Sequence, residues 1–446
     1  MKSLLKTVLL LLLLVPSAQR AQAQPKTLTL DDAVQLALKN NRQLEISRLE
    51  MEKADARVTE AYGTALPNIS AAGQYSRALK KAVFFIPDLQ NPSSGRIVPL
   101  EIGADNSLQF GFTATQILFN SAVFTGVGTA KIYQQASREL YRGSYNQTVS
   151  NTKRAFYAAV FMRNVFLMSQ AGLKNAEDNL KTVQMMNTQG LVSDYDFIRA
   201  QVQVDNIRPS VVEAERNVVL MTNNLKLVMG MSPGEDIAVT GELEFDPVDP
   251  ALLERAEESA IAENANLRAL DLQKRVSDAI VSITRSEWYP TLAAFGNYQW
   301  QAQKNSFRFG GEDFVRSSQV GLSLSINLFN GMQSVARLNQ AQIDYQKLDE
   351  QDKMAHDGLR TNVQNIRFRL AEASRRIQSQ SKTVEMAERG YKIATTRYSA
   401  GNGTQLEVND ADLALLRARV NRIQAVFDYN VARADLEETL SLVTPQ

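Results

Sequence analysis

Few residues of this chain could carry out chemistry, and their types exclude most enzyme classes. The chain has no cysteine and one histidine among 446 residues. That histidine, His356, lies in a charged helical stretch and is interpreted as a solvated helix residue. Histidine-based catalytic triads and metal sites with several histidine or thiolate ligands are therefore not expected. We expect no cofactor and no bound metal.

Two acids, Glu407 and Asp410, are the remaining candidates for acid/base work. They are three residues apart, so their side chains share one face of a helix. No cleft motif or phosphate-binding loop accompanies them, because Phe309-Gly310-Gly311-Glu312 lies between two strand patterns and is typical of a hairpin loop. Met185-Met186 fits a helix core better than a soft-metal site. The sequence therefore favours a protein that is not an enzyme.

Charge and the N-terminal pattern indicate the compartment. Lys plus Arg number 49 against 48 Asp plus Glu, which gives no electrostatic case for nucleic-acid binding. Lys2 and Lys6 precede an apolar stretch and the small-residue sequence Ala21-Gln22-Ala23. This order predicts a secretory signal peptide over residues 1–23. No later segment reaches the roughly 18 uninterrupted apolar residues that a spanning helix needs.

The elements that would position these residues occur twice. The stretch around Asn41 resembles the stretch around Asn264, and Gly190 corresponds to Gly401 at an offset of 401 − 190 = 211. The sequence of each copy predicts the same order of elements: a helix, two strands, a long helix, a glycine-containing break and another helix. The first copy carries additional residues, and Pro87 to Pro99 is interpreted as a loop insertion. The predicted domains are a signal peptide (1–23), a first repeat (24–236) and a second repeat (237–446).

Each copy contains one helix of unusual length. No proline occurs between Ala122 and Gln189 or between Gly331 and Ala400, so each segment can extend for about 100 Å at about 1.5 Å per residue. The second segment keeps a heptad pattern, which predicts a supercoiled seam of closely packed helices or, alternatively, a generic coiled coil. The seam consists of Leu359, Val363, Ile366, Leu370, Ala373, Ile377, Gln380, Val384, Ala387, Tyr391, Ala394 and Tyr398.

Four segments alternate apolar and polar residues, as two-faced strands do. They lie at about 68–77, 107–118, 291–301 and 318–328, and Leu322 and Leu324 alternate with Ser323 and Ser325. Their length and terminal aromatics are typical of tilted outer-membrane strands. Four strands cannot close a barrel, and open edges are excluded from hydrocarbon, so several chains must share one barrel. A half-buried sheet of a soluble domain is the alternative.

The duplicated helices and hairpins resemble the outer-membrane efflux family, of which TolC is the type. The most specific elements of the resemblance are the turn Tyr398-Ser399-Ala400-Gly401 and the segment Gln189-Gly190-Leu191-Val192-Ser193. The resemblance implies a mainly α chain with transmembrane β structure. Three copies would form a 12-stranded β-barrel continuous with a periplasmic α-helical barrel. It also implies a homotrimer in the outer membrane of a Gram-negative cell.

The resemblance further implies a channel-tunnel of a tripartite efflux or type I secretion system. Its cargo would be drugs, metals or secreted substrates. Its partners would be the other copies of the chain, a periplasmic adaptor protein, an inner-membrane pump of the RND or ABC type, and the lipid of the outer membrane. An exported structural or adhesive coiled-coil protein and a soluble periplasmic binding protein are the alternatives.

The resemblance assigns gating residues at the two glycine-containing turns. Glu407 and Asp410 match acids that narrow the periplasmic entrance, and three copies would bring six carboxylates together. Tyr398 and Asp196 match a tyrosine and an acid that hold the entrance shut, whereas the family's arginine position is Gly403 here. Arg397 is the candidate to replace that arginine. Helix capping is the alternative function for Glu407 and for Asp196, because Thr404-x-x-Glu407 is a capping box.

Overall fold

The structure, a computed structural model, describes residues 26–90, 93 and 95–445. The predicted signal peptide lies outside these residues. Nine helices are described in this part of the chain. In chain order they are α1 (Leu30–Asn40), α2 (Arg42–Gly63), α3 (Ser121–Thr188), α4 (Asp194–Val228), α5 (Pro250–Glu254), α6 (Ala256–Glu263), α7 (Ala265–Arg285), α8 (Gln333–Ser399) and α9 (Gln405–Thr439). None of these described helices is both long enough and apolar enough to cross a bilayer.

Eight strands complete the described part. They are β1 (Lys26–Leu28), β2 (Asn68–Arg77), β3 (Ala82–Pro87), β4 (Ile97–Ile102), β5 (Asn106–Phe119), β6 (Ile237–Val239), β7 (Thr291–Lys304) and β8 (Val315–Ser325). The main sheet has four antiparallel strands in the order β2-β5-β7-β8. Each half of the chain contributes one pair of strands to this sheet. This confirms the prediction that each chain supplies four strands to one sheet.

The duplicated plan and the two long helices are confirmed. The helices α3 and α8 have 68 and 67 residues, and each is followed by a glycine turn and a helix of 35 residues. Their length follows from the sequence, because neither helix contains a proline that would remove a backbone hydrogen bond. In contrast, α4 continues through Pro209, where one such bond is lost.

The chain divides into two compact units. The first comprises the described residues up to Ser47, Tyr141–Asn264, and the described residues from Asp357 onward. Its largest core cluster joins α8 to α9, with Val363, Ile366 and Leu370 packed among residues such as Tyr429 and Leu436. Every residue of the predicted α8 seam is buried or half-buried. The heptad pattern therefore identified the packed face of this helix correctly.

The second unit comprises Arg48–Leu140 and Ala265–His356 and contains the main sheet. The two faces of this sheet differ sharply, as the alternation predicts. Phe110 and Phe112 pair with Trp300 and Tyr298 on the apolar face, where Phe110 stacks on Trp300 at 5.6 Å between ring centroids. The aliphatic side chains of β8 on this face are open, with Val320 at 85% exposure.

The opposite face of the sheet is polar and uncharged. Gln109 donates to Gln299 across the strands at 2.9 Å, and Thr113 pairs with Asn297. The one aromatic ring on this face belongs to Phe295, which lies over Gly321 of β8. The charged residues of the four strands are Arg77, Lys304 and Arg316. All three lie near strand ends and on the apolar face.

One segment differs from the prediction. The interpretation of Pro87 to Pro99 as a loop insertion was wrong at its ends, because β3 and β4 form a separate antiparallel hairpin that includes both prolines. Phe85 pairs with Pro99 in this hairpin. A two-stranded hairpin tolerates proline because each strand has an outer edge where the missing N–H breaks no ladder bond.

Candidate functional site

The predicted gate residues lie where four helices of the first unit end or begin. The ends of α3 and α8 and the starts of α4 and α9 share a small core of Val183, Ala200, Ala394, Tyr398 and Val408. These side chains are small or aliphatic except for Tyr398, a residue that is 8% exposed. The core therefore fixes the two turns, one after α3 and one after α8, against each other.

The two turns have the same backbone. Gly190 and Gly401 both have φ of +72°, a left-handed conformation that an L side chain rarely adopts. After α3, the N–H of Leu191 donates to Met186 O at 2.9 Å, and after α8 the N–H of Asn402 donates to Arg397 O at 2.9 Å. Both helices thus end in a Schellman motif. The glycines that the sequence singled out are C-terminal helix caps.

The acids Asp196 and Glu407 cap the helices that follow. Asp196 accepts from the Ser193 hydroxyl at 2.7 Å, and the backbone N–H of Asp196 donates to Ser193 Oγ at 3.2 Å. Glu407 forms the equivalent capping box with Thr404. The two acids are at corresponding positions of the repeats, since 407 − 196 = 211. Both carboxylates also complement the positive end of a helix dipole.

Asp410 differs from the two capping acids. It is exposed on α9, one turn beyond Glu407, and its carboxylate forms no hydrogen bond or ion pair with another described residue. Its charge is therefore free to act on solvent or on ions. Within the described residues, no group of three or more histidine, aspartate or glutamate side chains is placed to hold a metal ion.

Gly403, at the position where the resemblance implied an arginine, packs closely against the backbone of its own turn. A Cβ at Gly403 would lie 3.0 Å from the backbone nitrogen of Tyr398 and 3.2 Å from the backbone carbon of Arg397. A side chain at this position would therefore require the turn to shift by a few tenths of an ångström. Arg397 instead donates to the backbone oxygen of Asn402 at 3.0 Å. Arg397 stabilises its own turn and makes no described contact with Asp196.

The hydroxyl of Tyr398 is buried and has no hydrogen-bond partner among the described residues. Burial, and then the nearby negative charge of Asp196, raise the pKa of Tyr398. The structure therefore brings Tyr398 and Asp196 into electrostatic range without a hydrogen bond between them. Tyr398 also lines a polar cleft of about 440 Å³ between α3 and α8, together with Asn175, Asp178 and Tyr391.

Sequence reasoning missed one titratable residue of this region, Asp412. Its side chain accepts a hydrogen bond from Asn175 of α3 at 3.3 Å. Burial raises the pKa of Asp412, although this hydrogen bond and the charge of Arg419 oppose the rise. The residue could have been found from spacing, because Asp412 lies between the buried Val408 and Leu415, which are seven residues apart on one helix face.

Comparison with known proteins gives a family match over most of the chain. The profile of the family described as outer membrane efflux protein matches residues 33–231 and 257–441. The two matched segments contain all of the predicted gate residues. They correspond to the two halves of the duplicated plan.

Individual relatives are distant but similar over most of their length. The outer membrane protein TolC of Escherichia coli is 23% identical over 427 residues, which cover 92% of this chain and 82% of that protein. The probable efflux pump outer membrane protein TtgC of Pseudomonas putida is 22% identical over 397 residues, covering 87% and 78%. The alkaline protease secretion protein AprF of Pseudomonas aeruginosa is 22% identical over 331 residues, covering 72% and 67%.

Solved structures share the fold. The outer membrane protein VceC of Vibrio cholerae superposes with a TM-score of 0.76 at 15% identity, covering 92% of this chain and 96% of that chain. The outer membrane channel CmeC of Campylobacter jejuni superposes with a TM-score of 0.75 at 17% identity, covering 92% and 85%.

Proposed function

The chain belongs to the outer membrane efflux protein family, and from this we propose that three copies form a passive exit duct gated at the turns after α3 and α8. The protein is an outer-membrane channel of the kind that serves efflux pumps and type I secretion. Its family is a transport family. We propose that the chain itself catalyses no reaction.

The observation that carries this proposal is the incomplete sheet. Four strands bear an open apolar face, and the outer edges of β2 and β8 have no partner strand among the described residues. Backbone groups at such edges cannot remain unpaired in hydrocarbon. Pairing of β8 of one copy with β2 of the next satisfies both edges, and three copies give a closed barrel of 12 strands.

The polar face of the sheet would then line the lumen. Amides and hydroxyls cover this face, and none of its residues within the four strands is charged. Such a wall offers hydrogen bonds without a fixed charge, so it supports the passage of cargo of varied chemistry. We propose drugs, metals or secreted proteins as cargo, delivered by a periplasmic adaptor and an inner-membrane pump of the RND or ABC type.

The gate is proposed to consist of Asp410 with Glu407 beside it. In a trimer, three exposed Asp410 carboxylates would surround the axis and attract cations. Glu407 would add its charge while it caps α9. Tyr398 and Asp196 are proposed to hold the closed position through polar links, and the chain is proposed to pivot at the glycine caps Gly190 and Gly401 when the gate opens.

The two repeats are proposed to extend over residues 24–236 and 237–446, after a signal peptide at 1–23. The separate family matches at 33–231 and 257–441 support this division. The correspondence of the two helix caps, residue by residue, also supports it.

Single-channel conductance in a planar bilayer tests the gate. We expect a small, steady conductance that divalent cations on the periplasmic side block. Asp410→Asn removes the charge and keeps the shape, and it should enlarge the conductance and weaken the block. Glu215→Gln is the matched control, because Glu215 is an exposed acid on α4 far along the chain from the turns. It should leave both quantities unchanged.

Each outcome bears on a different part of the proposal. A trimer without conductance would contradict the duct. Conductance that responds to Asp410→Asn no more than to Glu215→Gln would keep the duct and remove Asp410 from the gate.

A further inference from the structure

The β3–β4 hairpin is an apolar element on the second unit for which the channel function gives no role. It is inserted between β2 and β5, at the end of the main sheet opposite to the end joined to α2 and α3. Of the residues in its two strands, only Glu101 is charged.

Both faces of this hairpin are apolar. Residues that pair across the strands share a face. The face named here the first hairpin face consists of Ala82, Phe84, Ile86, Val98, Leu100 and Ile102. The second hairpin face consists of Val83, Phe85, Pro87, Ile97, Pro99 and Glu101.

The described residues of the chain cover neither face. Phe84 on the first hairpin face is 57% exposed, and Phe85 on the second is 73% exposed. Only Ile86 and Val98 are half-buried among the residues of the two strands. Soluble surfaces rarely expose an apolar patch of this kind unless it contacts a partner. Two strands alone are also marginally stable in water.

The base of the hairpin is fixed to the sheet. Lys81 forms an ion pair with Asp105 at 3.1 Å and donates to Asn305 at 3.0 Å. The N–H of Asp105 also donates to Asn305, at 3.1 Å, just beyond the end of β7. The N–H of Ala78 donates to Asp105 O at 2.8 Å. The hairpin is therefore held in one position relative to β5 and β7.

Lipid is a poor occupant for these faces. The outer edges of β3 and β4 have no partner strand among the described residues, and their N–H and C=O groups would be unsatisfied in hydrocarbon. An occupant must cover the apolar side chains and leave the strand edges in contact with water. A second copy of the chain does both.

We propose that this hairpin is an intersubunit contact, in which the first hairpin face of one copy packs on the second hairpin face of the next. The inference rests on the trimer of the proposed function. A cyclic ring of three requires two different, complementary surfaces on each copy, and the hairpin provides one on each side. It also adjoins β2, the edge strand at which the next copy joins. Three hairpins in contact narrow the outer mouth of the duct.

Cross-linking tests the contact directly, because the chain has no cysteine of its own. The variant Phe85→Cys/Leu100→Cys places one thiol on each hairpin face. These thiols point away from each other within one hairpin, so a disulfide inside the chain is disfavoured. Oxidation, or a short flexible bismaleimide, should link neighbouring copies into covalent trimers on a denaturing gel.

Two controls define the background. Phe84→Cys/Leu100→Cys places both thiols on the first hairpin face at directly paired positions, so it should cross-link within one chain and remain a monomer on the denaturing gel. Phe85→Cys alone should also remain a monomer. A native gel of every variant records whether the trimer forms.

The outcomes separate the two proposals. An intact trimer whose Phe85→Cys/Leu100→Cys variant links no better than the controls would overturn the hairpin contact and leave the duct standing. Absence of the trimer on the native gel would contradict the proposed function itself. Quenching of a fluorescent label on Phe85→Cys by spin-labelled lipid would show that lipid covers the hairpin, and it would also overturn the contact.

Discussion

The three acids at the helix turns, Asp196, Glu407 and Asp410, differ in function, and their hydrogen bonds distinguish them. Asp196 and Glu407 form capping boxes that satisfy backbone N–H groups at the start of a helix, which is the alternative that the sequence left open for both. Asp410 has no such partner among the described residues. At the scale of single residues, Asp410 is therefore the acid of the proposed gate that has the fewest structural contacts.

Stability measurements can separate the capping role of Glu407 from the effect of its negative charge. Glu407→Ala should lower the stability of the start of α9 by about 1 kcal/mol, because one carboxylate cap is lost. Asp410→Asn should leave it unchanged. Hydrogen exchange of the first turn of α9 in the trimer measures the difference. Equal protection in Glu407→Ala and wild type would argue against the cap.

A second residue-scale prediction concerns pH. Burial raises the pKa of Asp412 above its ordinary value of 3.8, so the folded protein binds this proton more tightly than the unfolded chain does. The stability linked to it is fully present below pH 3.8 and is lost as pH rises through the folded pKa.

Asp412→Asn should therefore raise the thermal midpoint at pH 7, since the amide carries no charge to desolvate. The gain over wild type should shrink as pH falls toward 4. Thermal unfolding of both proteins across this range measures it. A gain that is independent of pH would mean that burial of the charge is not the cause.

Asp412 illustrates what the sequence reveals only in part at this scale. Its spacing from Val408 and Leu415 indicates a packed face of α9, but no local pattern of α9 specifies Asn175 of α3 as its hydrogen-bond partner. The capping boxes, in contrast, were visible because Ser193-x-x-Asp196 and Thr404-x-x-Glu407 are local. The tight packing of Gly403 against the backbone of Tyr398 was also beyond sequence reasoning.

At the scale of elements, glycine has two opposite effects in α8 and the turn that follows it. Gly401 ends the helix with φ of +72°, whereas Gly390 lies inside it with nothing near the place of a Cβ. Position 401 needs a residue without a Cβ. A Cβ at position 390 would instead stabilise the helix.

Gly401→Ala should destabilise the protein by about 1–2 kcal/mol, the cost of a left-handed L residue. The matched variant Gly390→Ala should stabilise it by about 0.5–1 kcal/mol, because alanine loses less backbone entropy in a helix. Denaturant unfolding of the two variants compares them. If both substitutions shifted stability in the same direction, the assignment of the turn would be wrong.

Element prediction succeeded where periodicity was long and failed where it was short. The heptads of α8 and the alternation of β8 each repeat many times, so one exception does not hide them. The β3–β4 hairpin has two strands of six residues, and each strand contains a proline. Local composition there favours a loop, and the strands become evident only from their six cross-strand pairs, such as Phe84 with Leu100.

At the scale of the whole molecule, the main sheet of a single chain is incomplete. Its sheet has an apolar face and two open edges, β2 and β8, within the part that the structure describes. The sequence already indicated this, because four two-faced strands are too few to close a barrel. The number of copies came from the family resemblance, since strand count alone does not determine it.

The measurement that tests this account most directly is the number of copies in the protein extracted from outer membranes. Native mass spectrometry in mild detergent counts them without assuming a gate, a cargo or a partner. The account predicts a complex of three chains that dissociates on heating. A folded monomer in the outer membrane would contradict it, because a sheet with two open edges cannot stand alone in lipid.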